Sequence, residues 1–224
     1  MGNLPTSHSQ RVTDFLAKVQ TARGRIAFII DATGSREHAW DVAAQLQAEM
    51  FNEAAKLGGL EMQVTYFRGL DEVRSSDWTG DARELQHFMG RIRCDHGHTK
   101  YARALAHVRG EHRRQAISAV VLIGDMLEEA PQTLYDSVAG LGVPCFCFQE
   151  GSDPQLREGF KELWQAFREV ARLTKGAYHA FDAGSIAQLR ELLQAVAHYA
   201  AGGLTALADL RTPSARRLSA QMKK

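Results

Sequence analysis

Three oxygen-bearing side chains stand at alternate positions in a five-residue stretch: Asp31, Thr33 and Ser35, with Gly34 between the hydroxyls. On one tight loop they can converge on a point. Hard divalent cations such as Mg²⁺ or Mn²⁺ take oxygen ligands of this kind in octahedral array, usually keeping several waters. The same residues also suit a helix start, with Gly34 in the turn and Ser35 as N-cap. Two further oxygen donors are candidates on other grounds: Thr99 in a polar loop before an apolar-patterned helix, and Asp125 directly after an apolar run.

These residues are placed by the elements before them. Ile26 to Ile30 is uninterrupted apolar sequence, as in a strand buried on both faces of a parallel sheet. Ala116 to Ile123 is a second such run, ending in Gly124-Asp125, and Val143 to Phe148 is a third. Met62 to Phe67 alternates, and a turn at Arg68 to Asp71 leads into a short segment at Glu72 to Arg74, predicting an antiparallel edge strand. Ala177 to Phe181 is the last strand.

Helical spacing recurs between them. It covers Arg36 to Leu57, stopped by Gly58-Gly59; Asp81 to Arg93; the segment using Tyr101, Leu105 and Val108; Pro131 to Gly140; Leu156 to Val170; and Ile186 to Val196. Thr13 caps a further short helix near the N-terminus. Strand and helix alternate, so the predicted fold is α/β: a doubly wound, mostly parallel six-stranded sheet with one antiparallel edge strand, flanked by helices on both faces. Residues 1–24 form an N-terminal segment, 25–203 the domain, and 204–224 a basic tail read as mobile. Ligands of such sheets bind outside the carboxyl ends of the strands, where Asp31 and Asp125 lie; the loop preceding the Tyr101 helix adds Thr99 on the same rim.

On these residues the chain resembles the von Willebrand factor A (VWA) domain with its metal-ion-dependent adhesion site, over roughly Arg25 to Ala200. That family carries Asp-x-Ser-x-Ser after the first strand, a Thr before a middle helix and an Asp after the fourth strand. This sequence matches with Thr33 in place of the commoner Ser, and with Met126 after Asp125 where the family often has Gly. The resemblance implies that Thr33 and Ser35 ligate Mg²⁺ (or Mn²⁺) directly and Asp31 acts mainly through water. Thr99 and Asp125 would exchange direct and water-mediated contact as the site opens or closes. A Glu or Asp carboxylate of a partner protein would complete the octahedron. It also suggests a compact stand-alone bacterial protein that is a recognition device rather than an enzyme. Arg36, Lys100 and His98 flank the loops and are candidates for contact with an acidic partner.

Other signals carry less. Cys94, His96 and His98, with His38 as a conceivable fourth ligand, have a spacing open to zinc or nickel, but loop histidines of this kind more often support a site or face solvent. Cys145 and Cys147 read as small hydrophobes in a strand. Glu128 and Glu129 read as a solvated helix-entry face. A strand ending in Asp followed by a hydroxyl loosely resembles the haloacid dehalogenase loop, which makes a phosphohydrolase using Asp31 an alternative; that family has a second acid where this chain has Thr33. A scaffold without metal is the other alternative.

Composition sets bounds on all of these. Over 224 residues, 27 Lys and Arg nearly balance 26 Asp and Glu, so no general attraction to nucleic acid follows. The run His112-Arg113-Arg114 is too short to change that. No apolar run approaches the roughly 18 residues of a membrane span. The first ten residues lack a secretory pattern, and three cysteines read as reduced thiols, so a cytoplasmic location is expected.

Overall fold

The computed structural model describes residues 24–36, 60–151, 161–181 and 186–223. The predicted Thr13 helix, the helix from Arg36 to Leu57, His38 and the Leu156 to Phe160 part of a later helix lie outside them.

Six strands form one sheet in the order β3-β2-β1-β4-β5-β6. They are β1 (Gly24–Asp31), β2 (Leu60–Arg68), β3 (Glu72–Ser75), β4 (Ala119–Gly124), β5 (Cys145–Glu150) and β6 (Ala177–Phe181). Every pairing is parallel except β2 with β3, the predicted antiparallel edge. The apolar runs are strands because both faces are covered. Ile26, Phe28 and Ile30 enter one core with Val121, Ile123, Phe146 and Phe148, while Ala27 and Ile29 enter the other with Val120, Leu122, Cys145 and Cys147.

Six helices occur among the described residues: α1 (Ala82–Gly90), α2 (Tyr101–Arg114), α3 (Pro131–Val138), α4 (Lys161–Leu173), α5 (Ile186–Asp209) and α6 (Pro213–Met222). Leu85 and Met89 of α1, Leu189 and Leu193 of α5 and Leu218 of α6 fill the first core. Leu105 of α2, Leu134 of α3 and Phe167 of α4 fill the second. None of these helices is long and apolar enough to cross a membrane.

Several boundaries differ from the sequence reading, β4 for one beginning at Ala119 where Ala116 was predicted. Strand β5 begins at Cys145, two residues later than predicted, because Pro144 has no N–H for the ladder; its carbonyl still accepts from Val120 N at 3.0 Å. The stretch read as a basic tail carries helix. Backbone continuity of α5 breaks at Gly202-Gly203, where Gly203 takes φ 68°, and helix resumes to Asp209. Thr212 then caps α6, accepting from Ala215 N at 3.2 Å, and Ala215 and Leu218 are buried. Arg216 and Arg217 share that helix on its exposed side, so their charges obscured an apolar face beneath.

The order in which strands are added reverses at β1, whose neighbours are β2 on one side and β4 on the other. The crevice at the carboxyl ends of β1 and β4 is therefore the switch point of this sheet. Asp31 is the last residue of β1 and Asp125 immediately follows β4.

Candidate metal centre at the carboxyl rim of the sheet

The loop after β1 is folded by its own side chains. Asp31 is fully buried, and its Oδ1 accepts from Thr33 N at 2.8 Å, an Asx turn that carries the chain back over the carboxylate. The turn brings the Thr33 and Ser35 hydroxyl oxygens to 3.3 Å, in a short 3₁₀ turn over Gly34–Arg36. Adjacent vertices of an octahedron with metal–oxygen bonds of about 2.1 Å are about 3 Å apart, so these oxygens stand close to the separation Mg²⁺ asks of neighbouring ligands. Thr33 is buried and Ser35 exposed, which points the pair outward from the rim.

A second loop runs beside the first. Ala32 N donates to Phe67 O at 3.0 Å and Asp95 N to Ala32 O at 3.2 Å, so the Cys94 loop continues the sheet pairing past the end of β1. His96 packs on Gly34: a Cβ there would lie 2.6 Å from the His96 Nδ1, so a larger residue would require the imidazole to move. His98 turns the other way, its Nδ1 3.3 Å from Glu128 Oε2, and Cys94 packs on the first core. Among the described residues no three His, Cys, Asp or Glu side chains are grouped to hold a metal ion. The donor set on this rim is instead one of carboxylates and hydroxyls.

Thr99 is buried and locked to the loop after β4. Its N–H donates to Glu128 Oε2 at 3.1 Å, and its Oγ1 accepts from Glu128 N at 2.9 Å. One residue on, Glu129 receives Tyr101 N at 2.6 Å and Ala102 N at 3.2 Å. Burial pushes the Glu129 carboxyl up, and the bonds from Ala102 and Tyr101 partly oppose it. The reading of Glu128 and Glu129 as a solvated helix-entry face holds for the exposed Glu128 and is corrected for Glu129, which is half-buried. They do serve a helix N-terminus, but it is that of α2, across the rim, where uncapped N–H groups and the helix dipole favour acids.

Asp125 is half-buried, its Oδ1 accepting from Met126 N at 2.6 Å, and its carbonyl accepts from Gln149 Nε2 at 2.9 Å. Tyr101 joins the pieces. Its hydroxyl reaches Asp31 Oδ2 at 3.5 Å, and it stands over Gly124, where a Cβ would be 1.7 Å from the hydroxyl and 3.3 Å from the Asp31 Cβ. The ends of β1, β4 and α2 thus meet at Tyr101. Sequence reading placed Tyr101 only on an apolar face and gave Gly124 no role; the signal was a tyrosine two residues after the candidate Thr99 and a glycine just before Asp125.

Of the partner-contact candidates, Lys100 is half-buried at the N-cap of α2, making no side-chain cap, and His98 is engaged with Glu128. The Arg36 backbone closes the 3₁₀ turn.

Compared by sequence, the chain matches no family model and no curated protein. Solved structures with this architecture are similar to it. A von Willebrand factor type A protein from Catenulispora acidiphila has TM-score 0.61 and 19% identity, covering 80% of this chain and 43% of that one. The pilus adhesin SpaC from Lactobacillus rhamnosus GG has TM-score 0.63 and 11% identity, covering 80% and 30%. The SpRpn10 VWA domain has TM-score 0.59 and 10% identity, covering 75% of this chain and 95% of its own. This chain therefore spans less than half the length of the first two. It has the von Willebrand factor A fold, a Rossmann-like sheet with one antiparallel edge.

Proposed function

We propose that this chain is a protein-interaction module that recruits a Glu or Asp carboxylate of a partner through a Mg²⁺-type ion held at the rim. One observation carries the reading: the Asx turn at Asp31 sets the Thr33 and Ser35 oxygens 3.3 Å apart at the switch point of the sheet, beside the Thr99 and Asp125 loops. Thr33, Ser35 and either Thr99 or Asp125 would hold the ion, with Asp31 beneath supplying charge. A divalent ion facing few carboxylates keeps electrophilicity for an outside acid. The chain's own residues orient the hydroxyls and fix the two neighbouring loops.

The likeness to a pilus adhesin and to other VWA structures supports an interaction role over the phosphohydrolase alternative. So does the burial of Asp31, since a nucleophilic carboxylate needs a line of approach. Turnover of p-nitrophenyl phosphate lost in Asp31→Asn would favour the enzyme instead.

The test is thermal unfolding of chelator-stripped protein against Mg²⁺, Mn²⁺ and Ca²⁺. At ten times its dissociation constant an ion adds about 1.4 kcal/mol, or roughly 3 to 6 °C for a chain of this size. The shift should vanish in Asp31→Ala with the fold retained, and chelation should abolish partner capture. Absence of any shift at millimolar ion, or partner capture unchanged by EDTA, would overturn the metal-dependent reading and leave a scaffold.

A further inference from the structure

The far edge of the sheet has a site of a different kind. Strand β6 pairs with β5 on one side, and among the described residues no strand pairs with its other side. Tyr178 aims its peptide groups outward: its N–H donates to Gln221 Oε1 at 2.9 Å and its carbonyl accepts from Gln221 Nε2 at 3.0 Å. The side-chain amide of Gln221 thus makes the two bonds a neighbouring strand would make. By strand alternation Ala180 faces the same way, its carbonyl accepting from Nδ1 of His179, while Gly176, just before the strand, donates its N–H to Ala171 O at 2.8 Å.

Gly176, Tyr178 and Ala180 floor a groove of about 760 Å³ between α4 and α6. Its walls are basic. Arg168 and Arg172 line it from α4 and Arg217 from α6. The Arg168 guanidinium lies 4.8 Å over the Tyr178 ring, Arg172 pairs with Glu169 of its own helix, and Arg217 Nη1 donates to His179 Nε2 at 3.2 Å.

We propose that this edge accepts an extended acidic segment of a partner protein as a seventh strand, which displaces the Gln221 amide and sets its carboxylates between Arg168 and Arg172 on one wall and Arg217 on the other. Open backbone groups supply affinity in strand addition and the flanking side chains supply selectivity. Among the described residues lining the groove are three arginines and no carboxylate, which favours acids. A side-chain amide is a suitable occupant of a free edge because it blocks aggregation and yields to a real peptide. The groove is three strands from β1, about 14 Å, and does not use the rim loops.

The test uses fluorescence anisotropy with a labelled Glu-Val-Glu-Val-Glu-Val-Glu peptide, titrated with protein to about 1 mM. Its control is Glu-Pro-Glu-Pro-Glu-Pro-Glu, with equal charge and fewer N–H donors. The alternating Val peptide should bind at least about tenfold tighter than the Pro peptide, and Arg168→Glu/Arg217→Glu should weaken it by a similar factor. Gln221→Ala should tighten it about fivefold, because the peptide no longer competes with two neutral hydrogen bonds. All three substituted side chains are exposed, and unchanged thermal unfolding reports that the variants fold. EDTA should leave binding unchanged, which separates this site from the rim. Equal binding of the two peptides would mean a groove for any anion, weaker binding in Gln221→Ala would mean that Gln221 is part of the site, and no binding by either would mean no site; each result overturns the proposal.

Discussion

The contact between Gly124 and Tyr101 makes a quantitative prediction about how the rim is held. A methyl at position 124 would sit 1.7 Å from the Tyr101 hydroxyl and 3.0 Å from its Cζ. Tyr101 has little room to move, being fully buried with its ring edge-to-face against Phe67 at 4.6 Å and Phe167 at 5.1 Å. Gly124→Ala should therefore cost about 3 kcal/mol, the upper part of the range for overpacking a core. For a chain of this size that lowers Tm by roughly 6 to 12 °C. Tyr101→Phe removes the offending oxygen and a long hydrogen bond to Asp31, at a cost of about 1 kcal/mol. In the double variant the remaining contacts are the 3.0 Å one to Cζ, which a small ring shift relieves, and the milder 3.3 Å one to the Asp31 Cβ. The two costs should then fall short of additivity by about 1.5 kcal/mol or more. Urea unfolding of the wild type, both single variants and the double gives this coupling directly. Additivity within about 0.5 kcal/mol would refute the argument that Tyr101 and Gly124 are fitted to each other.

Other perturbations have defined outcomes. Glu72 accepts from Tyr66 Oη at 2.6 Å and Arg68 Nε at 2.9 Å, and the Arg68 bond first, then Tyr66, holds its carboxyl below the usual range. Glu72→Gln should cost about 1 kcal/mol at neutral pH, and denaturant titrations should show the difference disappearing as pH falls through the depressed native value, because the stabilisation belongs to the ionised form. Glu129 should behave oppositely: its raised native value gives the wild type, relative to Glu129→Gln, an advantage that is full below the ordinary carboxylate range and lost as pH rises through the native value. Burial pushes the Cys145 thiol up to about 12 and Cys147 well above its ordinary value, so iodoacetamide at pH 8 should label Cys94 in the native protein and the other two only after unfolding, as mass spectrometry would read.

What was legible in the sequence follows the range of the interactions involved. The strands could be read from Ile26 to Ile30 or Phe146 to Phe148 because two-sided burial leaves no polar residue in the run. The Asp31, Thr33 and Ser35 constellation was legible because an Asx turn acts over two residues, and its spacing is its geometry. The bonds of Glu128 and Glu129 across the rim were not legible because their partners lie 27 to 29 residues away, and nothing local distinguishes such an acid from a solvated one. The end of the chain was misread for another reason: Arg216 and Arg217 dominate its composition, while the buried face of α6 shows only as Ala215 and Leu218.

The dependence of α2 on those two distant acids also bears on how the chain is made. The N–H groups of Tyr101 and Ala102 have no carboxylate to receive them until residue 129 has been synthesised. At about 5 to 20 residues per second, those 27 or 28 residues take roughly 1.5 to 6 s, during which the helix can form only with a frayed start. The rim is therefore assembled late: on the ribosome, β1 and α2 wait for β4 and the loop beyond it, and a pause or truncation before Glu128 would yield a nascent chain with its first strand made and its candidate metal loops unjoined.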